Sequence, residues 1–209
     1  MKEKDNMENL AFRENKKYTY EDLEKINDDN RYEIYDGELI LMSSPTTKHQ
    51  AVLGDLIAQF HTFFKGKKCI PFIAPLDVRL DGKGKKSKNV VQPDLLVVCD
   101  KDKINDKIDG APDFVLEILS KNNRYNDLIY KMNLYQKFGV REYWIVDIEN
   151  GIILTCKLDK GNLFNFPKTH KIKEKIKSSI FKGLEISLEE TFKNNQNLLK
   201  EDEEGYSYG

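Results

Sequence analysis

The chain has 209 residues, of which 39% are hydrophobic and 11% aromatic, enough for one domain with a sizeable core. Its 34 basic and 35 acidic residues leave a formal net charge of −1, which excludes a global positive field for nucleic acid or an anionic membrane and makes any basic surface local. Three cysteines, Cys69, Cys99 and Cys156, have no C-x-x-C spacing, so neither a disulfide framework nor a zinc site is expected. The N-terminus has no apolar h-region and no segment has the apolar length of a membrane span, so a soluble, cytoplasmic protein is expected.

Residues 1–17 are mostly charged or amide side chains and read as a flexible arm; residues 193–209 read as a polar, acidic tail, with a single domain over 18–192 between them. From Tyr18, Thr19 followed by Asp22 has the spacing of a capping box and predicts a short helix. RYEIYDGELILMSS predicts a hairpin, two strands around the Asp36-Gly37 turn. The period then changes. Val52, Leu53, Leu56, Ile57, Phe60, Phe63 and Phe64 form one stripe at helical spacing, predicting a helix over 46–65 that Gly66 ends.

CIPFIAPLDVRL, VVQPDLLVVCD and APDFVLEIL read as three strands. Residues 124–138 are helical again, stopped by Gly139, and EYWIVDI and GIILTCKL add strands. GLEISLEETF is a strand edge or a short terminal helix. Short links imply antiparallel pairs, and the second helix implies a crossover, so the expected class is α+β: a mixed sheet flanked by helices.

Within APDFVLEILS the apolar run of a doubly buried strand is interrupted by Glu117. A carboxylate there must be paired, protonated or bound to metal. Alternation puts Glu117 on one face with Val115 and Leu119, and Asp94, after Pro93 in the preceding strand, meets it if the two strands are neighbours. Two converging carboxylates offer hard oxygen ligands for Mg²⁺ or Mn²⁺. The alternative is an ion pair with a cation such as Arg124, or a register shifted by one residue. Lys131, one turn from both Leu128 and Tyr135, sits at the edge of the next helix's apolar face, where an ammonium could meet charge developing on phosphate. A plain surface pair with Asp127 at i,i+4 is its alternative.

RYEIYDGELILMSSPTTKHQ, VVQPDLLVV, GAPDFVLEILS with Asp127 and Lys131, and GVREYWIVDI, in this order, resemble the blocks of the Uma-type restriction endonuclease family in the PD-(D/E)XK nuclease superfamily. The resemblance implies a restriction-endonuclease-like core and Mg²⁺-dependent hydrolysis of DNA phosphodiester bonds, with Asp94 and Glu117 as metal ligands. Leu119 stands where a superfamily lysine is usual, and the resemblance implies that Lys131, on the following helix, takes its place. Glu38 resembles an additional acid near the metal, with His49 and Asp127 as support. For a nuclease, the loop lysines Lys83, Lys85, Lys86 and Lys88 are candidate backbone contacts. A homodimer is compatible with double-strand cutting. The rival expectation is an inactive nuclease fold that binds nucleic acid or a protein partner.

Overall fold

A computed structural model describes residues 16–119, 127–171 and 173–189, apart from the side chains of Asp127 and Leu128. Residues 1–15 of the expected arm, the expected tail over 193–209, and Arg124 lie outside these residues. The first half of the chain contains α1 (Tyr20–Leu23), β1 (Tyr32–Tyr35), β2 (Glu38–Leu41), α2 (Thr47–Phe64), β3 (Ile70–Ile73), β4 (Val78–Arg79), β5 (Val90–Val91) and β6 (Leu95–Val98). There follow β7 (Ile108–Asp109), β8 (Phe114–Ile118), a π turn (Asp127–Lys131), α3 (Met132–Phe138), β9 (Glu142–Asp147), β10 (Ile152–Lys157), β11 (Lys168–Lys171), β12 (Lys175–Lys177) and β13 (Glu185–Ser187).

The central sheet is mixed and runs β11-β10-β9-β8-β6-β3. β3, β6 and β8 form the expected antiparallel meander. β8 and β9 are parallel, because the chain between them crosses over through the π turn and α3. On one face, Val52, Leu53, Leu56, Phe60 and Phe64 of α2 pack against Phe114, Leu116 and Trp144. On the other, Val115 and Leu119 pack with Leu134, Tyr135 and Tyr143. The helical stripe and the strand alternation read from the sequence thus become the two sides of one sheet. Each Leu or Phe fully buried this way contributes roughly 1.5–3 kcal/mol.

A second sheet, to which the N-terminal hairpin belongs, runs β2-β1-β5-β4-β7. Two apolar runs that read as one strand each are divided between the sheets. Residues 69–80 break at Leu76 between β3 and β4, with a cis Ala74-Pro75 bond just before the break, and residues 90–98 break at Gln92-Pro93-Asp94 between β5 and β6. Proline has no N–H for a ladder, so Pro93 marks the place where the strand leaves one sheet for the other. Asp94 consequently stands directly before β6, between the two sheets.

The N-terminal devices form as expected. Thr19 and Asp22 complete a capping box on α1. Asp36 (φ 46°) and Gly37 (φ 85°) make the tight turn between β1 and β2, a conformation with two positive φ angles that favours this dipeptide. The cysteine reading is corrected: Cys69 and Cys99 form a disulfide with Cα atoms 4.0 Å apart, while Cys156 is a buried free thiol. The β3–β6 register pairs Ile70 with Val98, and one further step sets the two cysteines face to face, a proximity that spacing along the chain does not reveal. No helix among the described residues is long and apolar enough to cross a membrane.

Candidate active site

The antiparallel register of β6 and β8 pairs Leu95 with Leu116, and extending it by one residue puts Asp94 across from Glu117. Residues opposed in this way share a face of the sheet. The Ile118 N–H donates to Asp94 Oδ2 at 2.7 Å, and His49 Nε2 lies 3.1 Å from the same oxygen. His49 is brought there by α2, whose first turn is capped by the Thr46 hydroxyl accepting from the His49 N–H.

Lys131 reaches the acids from the other side. Its Nζ is 3.0 Å from Glu117 Oε1 and 3.3 Å from Glu33 Oε1, and its side chain is only 6% exposed. It is the last residue of the π turn, directly before α3, a geometry that recurs at functional positions in helices. One regular turn further on, the Tyr135 hydroxyl donates to Glu117 Oε1 at 2.6 Å. Glu33 accepts at Oε2 from the Tyr35 hydroxyl and at Oε1 from the Gln92 N–H, the latter at 2.8 Å. Leu119 is buried among apolar side chains, so the ammonium beside Glu117 comes from Lys131.

Glu33 and Glu117 thus share the Lys131 ammonium, and Asp94 with His49 lines the same cleft where the two sheets meet, as does Arg31. Burial pushes the Glu117 carboxyl up to about 8; Lys131 pulls against the rise, and Asp94 and Glu33 add to it. Burial works against the Lys131 ammonium, but Glu117 and Glu33 outweigh it and hold the lysine above its ordinary value. Burial, then the Glu117 charge, raises the Tyr135 hydroxyl, which stays a donor at neutral pH.

Asp94 Oδ1 and Glu117 Oε2 carry no hydrogen bond or ion pair among the described residues. No group of three or more His, Cys, Asp and Glu side chains among the described residues is placed to hold a metal ion, so the candidate ligands are the two acids Asp94 and Glu117. This donor set fits a small hard cation, since Mg²⁺ is typically held by one or two carboxylates and keeps several waters.

Other expected residues lie elsewhere. Glu38 is at the β2 edge, its side chain 72% exposed and 3.5 Å from Lys17, and it does not line the cleft. The acid beside Lys131 is Glu33, five residues earlier. β1 is covered on both sides by β2 and β5 and both its faces are occupied, whereas β2 has an open edge. In the sequence nothing local separates Glu33 from Glu38. Lys83, Lys85, Lys86 and Lys88 are likewise absent from the cleft. Asp81 holds the Lys83 and Lys88 N–H groups, and Lys85 pairs with Glu24 at 3.1 Å. The Asp127 side chain lies outside the described residues.

No curated protein matches this chain. A crystal structure of a "putative nuclease belonging to DUF820" from Anabaena variabilis matches it with a TM-score of 0.67 at 16% identity, covering 84% of this chain and 98% of that one. At that identity the likeness is one of fold. The Uma2 family, described as "Putative restriction endonuclease", matches residues 18–189, and the chain belongs to that family.

Proposed function

We propose that this chain is a divalent-metal-dependent endonuclease that hydrolyses DNA phosphodiester bonds. The observation that carries the reading is the convergence in one cleft of Asp94 and Glu117, each with one oxygen that has no hydrogen bond or ion pair among the described residues, beside the Lys131 ammonium. Two converging carboxylate oxygens offer hard ligands of the kind a divalent cation takes. Asp94 Oδ1 and Glu117 Oε2 are the atoms that would hold Mg²⁺ or Mn²⁺. Such an ion lowers the pKa of bound water and neutralises charge on phosphate.

The chain's own groups supply the rest. Lys131 stays cationic between its two acids and presents positive charge to the oxyanion that develops at phosphorus. Tyr135 fixes the Glu117 carboxylate and Tyr35 fixes Glu33, so each holds its geometry without spending a second charge. His49 and the Ile118 N–H orient Asp94 through Oδ2, leaving Oδ1 toward the cleft.

The test is cleavage of supercoiled plasmid DNA with Mg²⁺ or Mn²⁺, in parallel with a chelator. Expected are nicked and linear products with metal, none with chelator, and none from Glu117→Gln. Cleavage by Glu117→Gln at the wild-type rate, or cleavage in chelator, would overturn the proposal.

A further inference from the structure

Lys131 is held inside the cleft between Glu117 and Glu33, where its part is to face the developing oxyanion, so capture of the substrate falls to another group. A phosphodiester entering an acidic cleft needs another cation at the mouth. Arg31, immediately before β1, is the residue in that position. The Met42 N–H donates to the Arg31 carbonyl at 2.8 Å, continuing the β1–β2 ladder through Arg31. By strand alternation, Arg31 therefore shares the face of Glu33 and Tyr35, which line the same cleft.

The acids near Arg31 are engaged with other groups. Glu33 is taken by Lys131, Tyr35 and Gln92. Arg31 also borders a second, shallower groove, where Asp77 is taken by Lys107 at 2.7 Å and Tyr20 at 2.9 Å, and Glu24 by Lys85. Among the described residues the guanidinium makes no ion pair, and its one hydrogen bond is a long one, from Nη2 to the Ser43 carbonyl at 3.4 Å. A partly buried guanidinium, held at the strand end but left without an anion, has the fork geometry that matches two phosphate oxygens.

We infer that Arg31 binds a phosphodiester group of the substrate through two non-bridging oxygens and so sets the strand over the acids. The inference rests on the nuclease reading and names the residue that recognises its substrate. Arg31 touches the substrate and takes no proton, so its loss is expected in substrate binding more than in the chemical step.

The experiment measures binding of a short fluorescein-labelled DNA duplex to the full chain in Ca²⁺ across a salt series, by anisotropy, with cleavage in Mn²⁺ measured alongside. Arg31→Gln is expected to weaken binding about tenfold or more and to flatten the log–log salt slope by about 1, the share of one phosphate contact. Arg31→Lys keeps the charge without the fork and is expected to fall between the two. Lys175→Gln, on β12 and paired with Glu185 at 3.5 Å, removes the same charge away from the cleft and is expected to bind as wild type does. Melting temperatures of all variants separate lost binding from lost folding. If Arg31→Gln binds like wild type with an unchanged slope, or if Lys175→Gln is equally weakened, the assignment is wrong even where wild type cuts DNA. If wild type neither binds the duplex nor cuts DNA, the assignment and the nuclease reading fall together.

Discussion

Glu117 and Glu142 are both buried acids on neighbouring parallel strands, yet the protein uses them differently. β8 and β9 pair Phe114 with Glu142 and Glu117 with Ile145, so both acids belong to the middle of the same sheet. Glu142 is met entirely by neutral donors: Trp144 Nε1 at 2.9 Å, the Ser178 hydroxyl at 2.6 Å, and the N–H groups of Ser179 and Ile180. Both of its oxygens are occupied, and together they tie the segment before β13 to the sheet. Glu117 has one oxygen met by an ammonium and a phenol, and a second turned to the cleft. A buried acid is therefore no sign of chemistry by itself. The sign is a charge balanced by another charge, with a coordinating atom left over.

Exchanging each acid for its amide breaks the comparison most sharply. Glu117→Gln removes a metal oxygen and a charge, and several kcal/mol of lost transition-state stabilisation corresponds to a drop in cleavage of roughly three orders of magnitude. Glu142→Gln puts an NH₂ group among N–H and O–H donors. It is expected to cost about 2–3 kcal/mol of stability, read from urea unfolding, while cleavage by the folded fraction stays near wild type. The reverse pattern, with cleavage lost at Glu142 and kept at Glu117, would reverse the assignment of the two acids.

Lys131→Met probes the partner that Glu142 lacks. It strands Glu117 and Glu33 together, and removing one partner of a buried ionic group typically costs about 3–5 kcal/mol. Added Mn²⁺ should return part of that loss, because the ion supplies the missing positive charge, whereas it should return nothing to Glu142→Gln. Unfolding curves with Mn²⁺ and with chelator decide the matter, and equal recovery in both variants would remove the cation argument.

How far the sequence carried these distinctions follows from what each residue depends on. Asp94, Glu117 and Lys131 could be read because strand alternation and helical spacing are local, and the β6–β8 register then brings the two acids opposite each other. Glu33 and Glu38 flank one hairpin turn with equal claims. Which of them faces the cleft is decided by β5 covering β1, a long-range pairing that no local pattern encodes. The division of 90–98 between two sheets was hidden for a similar reason: apolar residues on both sides of Pro93 are buried in either sheet. The Cys69–Cys99 bond and the phenols of Tyr35 and Tyr135 also arise from register and packing.

The same hairpin gives a smaller test. Glu33→Gln leaves Lys131 with one acid and is expected to lower cleavage about 10- to 100-fold by loosening the ammonium's position. Glu38→Gln, at an exposed edge beside Lys17, should cut within about twofold of wild type, since an exposed pair contributes little. Equal losses in the two variants, measured as initial rates on the same plasmid, would return Glu38 to the site.

The smallest expected effect is a drift of stability with pH, and its sign distinguishes a strained acid from a satisfied one. In chelator the Glu117 carboxyl, raised by burial, titrates at about 8 in the folded chain and near its ordinary 4.5 when unfolding exposes it. Between those values the folded state keeps a proton that the unfolded state has released. Stability from this group is thus fully present below the lower value and is lost as pH rises through the upper one. Glu117→Gln has no proton to lose there, so its melting temperature should gain on wild type from about pH 5 to about pH 9. Glu142→Gln leaves Glu117 in place and should follow the wild-type slope at a lower temperature. With Mn²⁺ the wild-type drift should flatten, because the cation takes the proton's place on the carboxylate. Parallel curves for wild type and Glu117→Gln in chelator would mean that Lys131 already balances Glu117 in full, and the cleft would then have no charge left for a metal to satisfy.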